Sequence, residues 1–526
     1  MDATRLLISA LANPVRYPHP VERIEVIETH ISYVVLTGRF AYKIKKPVNL
    51  GFLDFTALEA RRFYCQEELR LNRRLAPELY LDVVTITGTP EAPALDGDGV
   101  AIEYAVKMRE FPQEALLDRR LAAGQINGEQ IDRLATIIAG FHQRIAVAPG
   151  DSTFGDPHGA IDPARENFRQ IRPLLTDLTD FAALEQVEQA TERAYAALQG
   201  LFEARRRDGF IRECHGDLHL GNIATFHGQL LPFDCIEFNE NLRWIDVISE
   251  VAFLVMDLQA RARPDLAYRF LNRYLERTGD YAGVKALHYY CGYRAMVRAK
   301  IAMLRAHQPN VSQEEQGRDC NKFHEYLARA QSYFHSTRPA LIITHGVSGC
   351  GKTFHTQALL ERIGAIRLRS DIERKRLQGL PGAERSQSEL AGGWYSADAT
   401  ERTYRRLTEL ARAIVGAGYP VIVDATFLKR AQRQTFRALA AELAVPFSIV
   451  SFKARIDTLR ERILNRLEQA QDASEADLEV LEFQLMQEEP LGKEELRDVV
   501  EFDSEAAIKK QELQWQPLLE RLRSAD

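Results

Sequence analysis

The sequence has no apolar stretch approaching the roughly 20 residues that a membrane-spanning helix requires, and its six cysteines contain no Cys-x-x-Cys pair. The first absence excludes a spanning helix. The second excludes a clustered structural zinc site and a dense disulfide framework, leaving reduced thiols. Charge of either sign is not in excess. Lys plus Arg is 68 against Asp plus Glu 74, a net of -6 with a pI near 6.2. So mild a balance argues against a nucleic-acid partner, which selects for a broad basic face. The opening stretch MDATRLLISALANPVRYP has a short apolar run and no cleavage pattern, so a cytoplasmic location is expected.

The chain has 526 residues, beyond what one hydrophobic core organises, so at least two domains are expected. Residues 24–36 and 40–46 alternate and are rich in β-branched and aromatic side chains. They read as paired strands joined near Thr37-Gly38-Arg39. A helix is expected from a Thr56 cap to Leu75, ended by Ala76-Pro77, then strands at 80–87 and 100–108. Helical periodicity fills 114–205, short strands and turns fill 210–238, and helix resumes to about 335. Ser336-Thr337-Arg338-Pro339 is the expected boundary between domains at 1–335 and 340–526. Beyond it, strand and helix signals alternate at 341–345, 352–361, 365–369, 398–416, 420–424, 430–443, 447–453 and 456–468. That pattern implies an α/β fold with a parallel sheet.

Gly346-Val347-Ser348-Gly349-Cys350-Gly351-Lys352-Thr353 satisfies G-x-x-x-x-G-K-[ST] between a strand and a helix. The glycines let backbone N–H groups wrap phosphates, Lys352 reaches the outer phosphates, and Thr353 suits Mg²⁺. The strand Ile366–Arg369 leads into Ser370-Asp371-Ile372-Glu373-Arg374. Asp371 is thus a candidate base at the ligand-binding edge of the sheet, and Arg374 a candidate for holding an acceptor anion. Val421-Ile422-Val423-Asp424 ends in a carboxylate suited to the metal. Arg460, Arg462 and Arg466 precede a polar segment, 469–477, that reads as a lid; Arg462 and Arg466 are candidate ATP contacts. With GxSGxGKT, SDxxR and DAT in this order, residues 340–526 resemble the small P-loop kinases grouped with polynucleotide kinase, gluconate kinase and zeta-toxin-type enzymes.

The second constellation is Cys214-His215-Gly216-Asp217-Leu218-His219-Leu220-Gly221-Asn222, followed by Leu231-Pro232-Phe233-Asp234. Phosphoryl transfer to an alcohol needs a base and oxygen ligands for magnesium. Asp217 fits the base, and Asn222 and Asp234 fit the metal ligands. The pattern resembles the aminoglycoside phosphotransferase and choline kinase branch of the protein-kinase-like fold, over roughly 20–305. The resemblance implies a bilobal α+β domain, with a small lobe over about 1–108 and a large lobe over about 112–335. It also implies that Lys43 contacts the α/β-phosphates with Glu68 as its ion-pair partner. Lys45 shares the face of Lys43 and Glu67 adjoins Glu68, so these alternatives stay open. Thr29-His30-Ile31-Ser32 takes the place of the phosphate-covering loop without a glycine. Gly216 replaces the arginine of protein kinases and no activation segment follows Asp234, which favours a small-molecule acceptor. Asp246 reads equally as a brace for the catalytic loop or as a helix N-cap. His215 and His219 read as structural hydrogen-bonders, since magnesium prefers oxygen.

The expectation is a fusion of two phosphotransferases using ATP and Mg²⁺ on small-molecule hydroxyl acceptors. Two alternatives remain from the sequence: a nucleotide-sensing module in which one unit gates the other, and a nucleic-acid 5′-hydroxyl kinase in the C-terminal unit.

Overall fold

Alternation along Phe40–Lys45 sends its side chains to two destinations. Tyr42 and Ile44 enter a core with Leu7, Leu11, Val35, Val84 and Ile86, while Lys43 and Lys45 face helix Leu58–Asn72. In this computed structural model residues 3–49, 51, 53–308, 311–335, 338–380, 397–469 and 477–523 are described. The strands that build the first sheet are β1 (Glu25–Glu28), β2 (Ser32–Leu36), β3 (Phe40–Lys45), β4 (Tyr80–Thr89), β5 (Ala92–Leu95) and β6 (Ala101–Arg109). They pair antiparallel in the order β1-β2-β3-β6-β4-β5.

The span 24–36 is two strands on either side of the turn expected at Thr29–Ser32, where the Thr29 amide and hydroxyl both bond the Ser32 carbonyl, at 2.9 and 3.0 Å. One local expectation is corrected. Thr56 does not cap the helix. Its amide and hydroxyl are both taken by Asp54 at 2.9 and 2.6 Å, and Ala57 occupies the cap without a side-chain bond.

The motif-bearing loops lie between short strands: β7 (Ile211–Glu213), β8 (Ile223–Phe226), β9 (Gln229–Pro232) and β10 (Trp244–Asp246). β7 pairs with β10, and β8 with β9; the Phe233 amide bonds the Asn222 carbonyl at 2.9 Å and the Ile236 amide bonds the His215 carbonyl at 3.0 Å, which brings residues 214–222 beside Asp234. Gly216 adopts φ +89°, and a Cβ there would meet the Leu242 carbonyl at 2.7 Å. Glycine is therefore required at this position by the backbone.

The C-terminal sheet is built from β11 (Leu341–His345), β12 (Ile366–Arg369), β13 (Val421–Asp424), β14 (Phe447–Lys453) and β15 (Val499–Asp503). The order is β12-β13-β11-β14-β15 with every pairing parallel, as in P-loop NTPases. Strands β11 to β14 follow the sequence alternation; β15, a short strand after a polar run, was not expected. Helices on the sheet complete a core around Ile342, Leu359, Ile422, Val450, Phe502 and Trp515.

The chain divides into two compact units. One comprises Met1–Arg133, Gly140–Glu166 and Ala196–Asp257; the other comprises Leu134–Ala139, Asn167–Tyr195 and Leu258–Asp526. Helices Pro264–Thr278, Val284–Ala306 and Gln313–Tyr333 thus group with the parallel sheet. Of the expected boundary, Ser336 and Thr337 lie outside the described residues, as does most of the expected lid at 469–477. Among the described residues, no helix is long and apolar enough to cross a membrane.

Candidate active sites

In the first unit, β3 delivers two lysines to one glutamate. Lys43 Nζ lies 2.8 Å from Glu68 Oε1 and 2.5 Å from Asp234 Oδ1. Lys45 Nζ lies 2.7 Å from Glu68 Oε2 and also pairs with Glu237. Burial would raise the Glu68 pKa, but the two ammonium groups outweigh it and bring it down to about 2. Burial likewise opposes the charge on Lys43, and Asp234 and Glu68 more than offset it, leaving its pKa well above the ordinary lysine value. Of the pairs left open by the sequence, Glu68 takes both lysines, whereas Glu67 bonds Arg70 and lies near Arg243. Lys43 is the lysine beside Asp234, and Lys45 is sealed away from solvent.

Asp234 reaches this position with φ +65°, a left-handed backbone uncommon outside glycine and of a kind that clusters at ligand sites. Asn222 Nδ2 donates to the Asp217 carboxylate at 2.9 Å and to the Asp217 carbonyl at 3.0 Å. The pair is fastened from below. Glu250 accepts the His215 amide at 3.1 Å, the Gly216 amide at 2.7 Å and a bond from His142 at 3.0 Å. Asp257 accepts the Leu220 amide at 2.9 Å. Asp246, one of whose two readings was this brace, instead pairs with Arg205 at 2.6 Å and accepts the Ile248 amide at 2.9 Å. The N-cap reading therefore holds, and the brace is Glu250, one helical turn further on. His215 bonds the Phe233 carbonyl at 2.8 Å; His219 accepts the Gly221 amide at 3.0 Å, and its Nε2 lies 3.5 Å from the Asp217 carboxylate.

In the second unit the P-loop wraps the start of helix Lys352–Ile363. Gly349 has φ +83°, and a Cβ there would meet the Leu459 carbonyl at 2.9 Å. Lys352 Nζ donates to the carbonyls of Gly346 and Val347, each at 2.8 Å, and lies 3.6 Å from Cys350 Sγ. Thr353 Oγ1 donates to Asp424 Oδ2 at 2.6 Å. Burial raises the Asp424 pKa despite the nearby Arg367, Arg369 and Lys352, so an added cation would relieve a buried carboxylate. Asp371 is held by Arg369, with bonds at 3.2 and 2.7 Å. Burial works to raise its pKa, but the guanidinium prevails and keeps it below the usual value. It is therefore ionised at neutral pH.

Lys352, Thr353, Asp371 and Asp424 line a cavity of about 1240 Å³ with Ser348, Gly349, Gly351, Arg374, Arg462 and Arg466; Gly346 and Cys350, also expected at the nucleotide, are not among its lining residues. Arg462 is anchored to Ser504, through its hydroxyl at 3.0 Å and its carbonyl at 3.1 Å. Arg460 is not among the cavity-lining residues and lies 3.8 Å from Glu482. Sequence reasoning missed Gln484, on helix Leu478–Gln487, whose Oε1 accepts the Ser348 amide at 2.7 Å. It also missed Glu237 and Glu250. Only the spacing of Glu237 from Asp234 could have signalled one of these.

Oxygen donors of the kind magnesium prefers stand in both sites: Asn222 and Asp234 in the first, Thr353 and Asp424 in the second. The donor chemistry fits.

Residues 61–287 match the phosphotransferase enzyme family, and residues 341–491 match an AAA domain model. Uncharacterized protein Rv2004c of Mycobacterium tuberculosis is 31% identical over 461 residues, covering 87% of this chain and 89% of that protein. Uncharacterized protein Mb2027c of Mycobacterium bovis matches to the same extent, at 31% over 461 residues. Among solved structures, the amicoumacin kinase hAmiN in complex with AMP-PNP, Ca²⁺ and Ami is 13% identical, covering 62% of this chain and 94% of that one with a TM-score of 0.39. A gluconokinase from Sinorhizobium meliloti 1021 is 22% identical, covering 35% of this chain and 94% of that one with a TM-score of 0.26. The chain belongs to the family of these mycobacterial proteins, and is a kinase that joins a phosphotransferase-family segment to a P-loop kinase domain in one polypeptide.

Proposed function

We propose that the chain is an ATP- and magnesium-dependent phosphotransferase with a nucleotide site in each unit, each passing a γ-phosphoryl group to a hydroxyl of a small molecule. The observation that carries this reading is that two unrelated folds each assemble a lysine and oxygen-donor residues suited to a metal. Lys43 meets Asp234 at 2.5 Å, with Asn222 bonded to Asp217 at 2.9 Å; Lys352 lies on the P-loop beside the Thr353–Asp424 pair at 2.6 Å.

In the first unit Asp217, oriented by Asn222, accepts the proton of the attacking hydroxyl, and Lys43 holds the α/β-phosphates. Asn222 and Asp234 would hold magnesium. In the second unit Lys352 exchanges the loop carbonyls for phosphate oxygens, and Thr353 and Asp424 would hold magnesium. Asp371 accepts the acceptor's proton, Arg374 binds an anionic group on the acceptor, and Arg462 and Arg466 stabilise charge on the transferred group. Magnesium, when bound, neutralises charge on the β- and γ-phosphate oxygens. Positioning and charge stabilisation carry the chemistry, without a covalent intermediate. The mild net charge of -6 over the whole chain supports small acceptors over nucleic acid.

The test is transfer of labelled γ-phosphate from ATP to a metabolite and oligonucleotide panel, by wild type, Asp217→Ala and Lys352→Ala. Loss of a product in one variant assigns that product to one unit. Nucleotide binding by all three proteins without transfer to any acceptor would overturn the reading in favour of a nucleotide sensor.

A further inference from the structure

Strand β12 lies at the edge of the parallel sheet, and its outward backbone groups need partners. Helix Pro264–Thr278 supplies them from within the same compact unit. Asn272 Nδ2 donates to the Ala365 carbonyl at 2.9 Å, and its Oδ1 accepts the Arg367 amide at 2.6 Å. The side chain thus does what a neighbouring strand would do.

One turn along the helix, Glu276 accepts from Arg367 Nη2 at 3.0 Å. The pair is sealed, with side-chain exposures of 3% for Glu276 and 5% for Arg367. The same guanidinium reaches the nucleotide site. Its Nη1 donates to the Thr353 carbonyl at 2.8 Å and to Thr356 Oγ1 at 3.3 Å, and Nη2 also bonds Gln357 at 3.1 Å. Thr353 is the residue whose hydroxyl donates to Asp424. A continuous chain of bonds therefore runs from Glu276 through Arg367 to the backbone of Thr353. The segment that carries Glu276 falls inside the phosphotransferase-family match at 61–287, outside the P-loop match at 341–491.

We propose that Glu276 is a positioning residue for the P-loop site, fixing Thr353 through Arg367 so that its hydroxyl is held where the metal of the bound nucleotide needs it. The proposal rests on reading that site as a magnesium–nucleotide site. Its physical basis is the fork of arginine, which holds two partners in one plane, and the cost of leaving a buried guanidinium with only neutral acceptors. Groups that orient a metal ligand without touching the metal typically alter metal affinity by about 10- to 100-fold when removed.

The experiment uses the full-length chain and measures ATP binding in magnesium, and ADP binding in EDTA, by calorimetry. The P-loop share of each is defined as what Lys352→Ala removes. Glu276→Gln is expected to weaken the magnesium-dependent share by about tenfold and to leave the metal-free share within about twofold. Arg367→Gln gives the same split, and the double variant is no worse than either single one, because both act through one link. An unchanged magnesium-dependent share overturns the proposal. So does an equal loss with and without metal, which would mark general support of the fold. If Glu276→Gln fails to fold, Arg367→Lys makes the same comparison, since it keeps the charge but lacks the fork. If Lys352→Ala removes no binding at all, the P-loop reading itself falls and this proposal with it.

Discussion

The Glu250 carboxylate accepts the Gly216 amide at 2.7 Å, inside the loop that presents Asp217. A buried acid thus replaces solvent for a backbone that bends through φ +89°. Removing its charge should loosen the loop before it unfolds the unit. Glu250→Gln is expected to lower stability by about 3 kcal/mol and to reduce Asp217-dependent transfer more than it reduces nucleotide affinity. Urea unfolding and a separation of kcat from KM check both halves.

The same residue predicts a pH dependence. Bonds from His142 and two backbone amides overcome burial and hold the Glu250 pKa at about 2, against 4.5 for an unperturbed glutamate. As pH falls the unfolded chain takes up this proton first, so the contribution is complete above pH 4.5 and is lost on the way to about 2. Its size is roughly 3 kcal/mol. Chemical unfolding across that window should show a steeper loss in wild type than in Glu250→Gln.

Lys43 and Lys45 should fail in different ways. Lys45 is fully enclosed between Glu68 and Glu237, so Lys45→Met leaves the buried Glu237 without its ammonium partner and should cost about 3–5 kcal/mol. Of the two partners of Lys43, Asp234 is 43% exposed and can be hydrated when the lysine is lost, and the buried Glu68 keeps its bond to Lys45. Lys43→Ala should therefore lose first-unit transfer with the smaller loss of stability. Paired unfolding and transfer assays distinguish the two.

Gln484 places a side-chain oxygen on the Ser348 amide, a P-loop donor suited to phosphate. Gln484→Glu puts a negative charge there and should weaken nucleotide binding in the second unit by about tenfold or more. Gln484→Ala should leave binding unchanged or tighter. Titration with ATP, after subtracting the binding that survives Lys352→Ala, reads both.

The parallel unit was the more legible in sequence because its signals are local. β11 to β14 and their helices follow short apolar runs and turn residues, and the phosphate loop is written in consecutive residues. Lys43 and Glu68 could be paired from the sequence only by resemblance, since the contact joins a strand to a helix more than twenty residues away. Glu250 was hidden because a carboxylate on an apolar helix carries no spacing signature; Asp246 in the same neighbourhood drew the attention instead. Gln484, and the grouping of helix Pro264–Thr278 with the parallel sheet, depend on tertiary contacts that no local pattern encodes.

If each unit holds its own nucleotide, the number of nucleotides bound per chain is two. Equilibrium dialysis with labelled, non-hydrolysable ATP and magnesium should give two per wild-type chain. Lys352→Ala and Asp234→Ala should each retain one, and the double variant none. One nucleotide per wild-type chain, or two retained in either single variant, would rule out a nucleotide site in each unit.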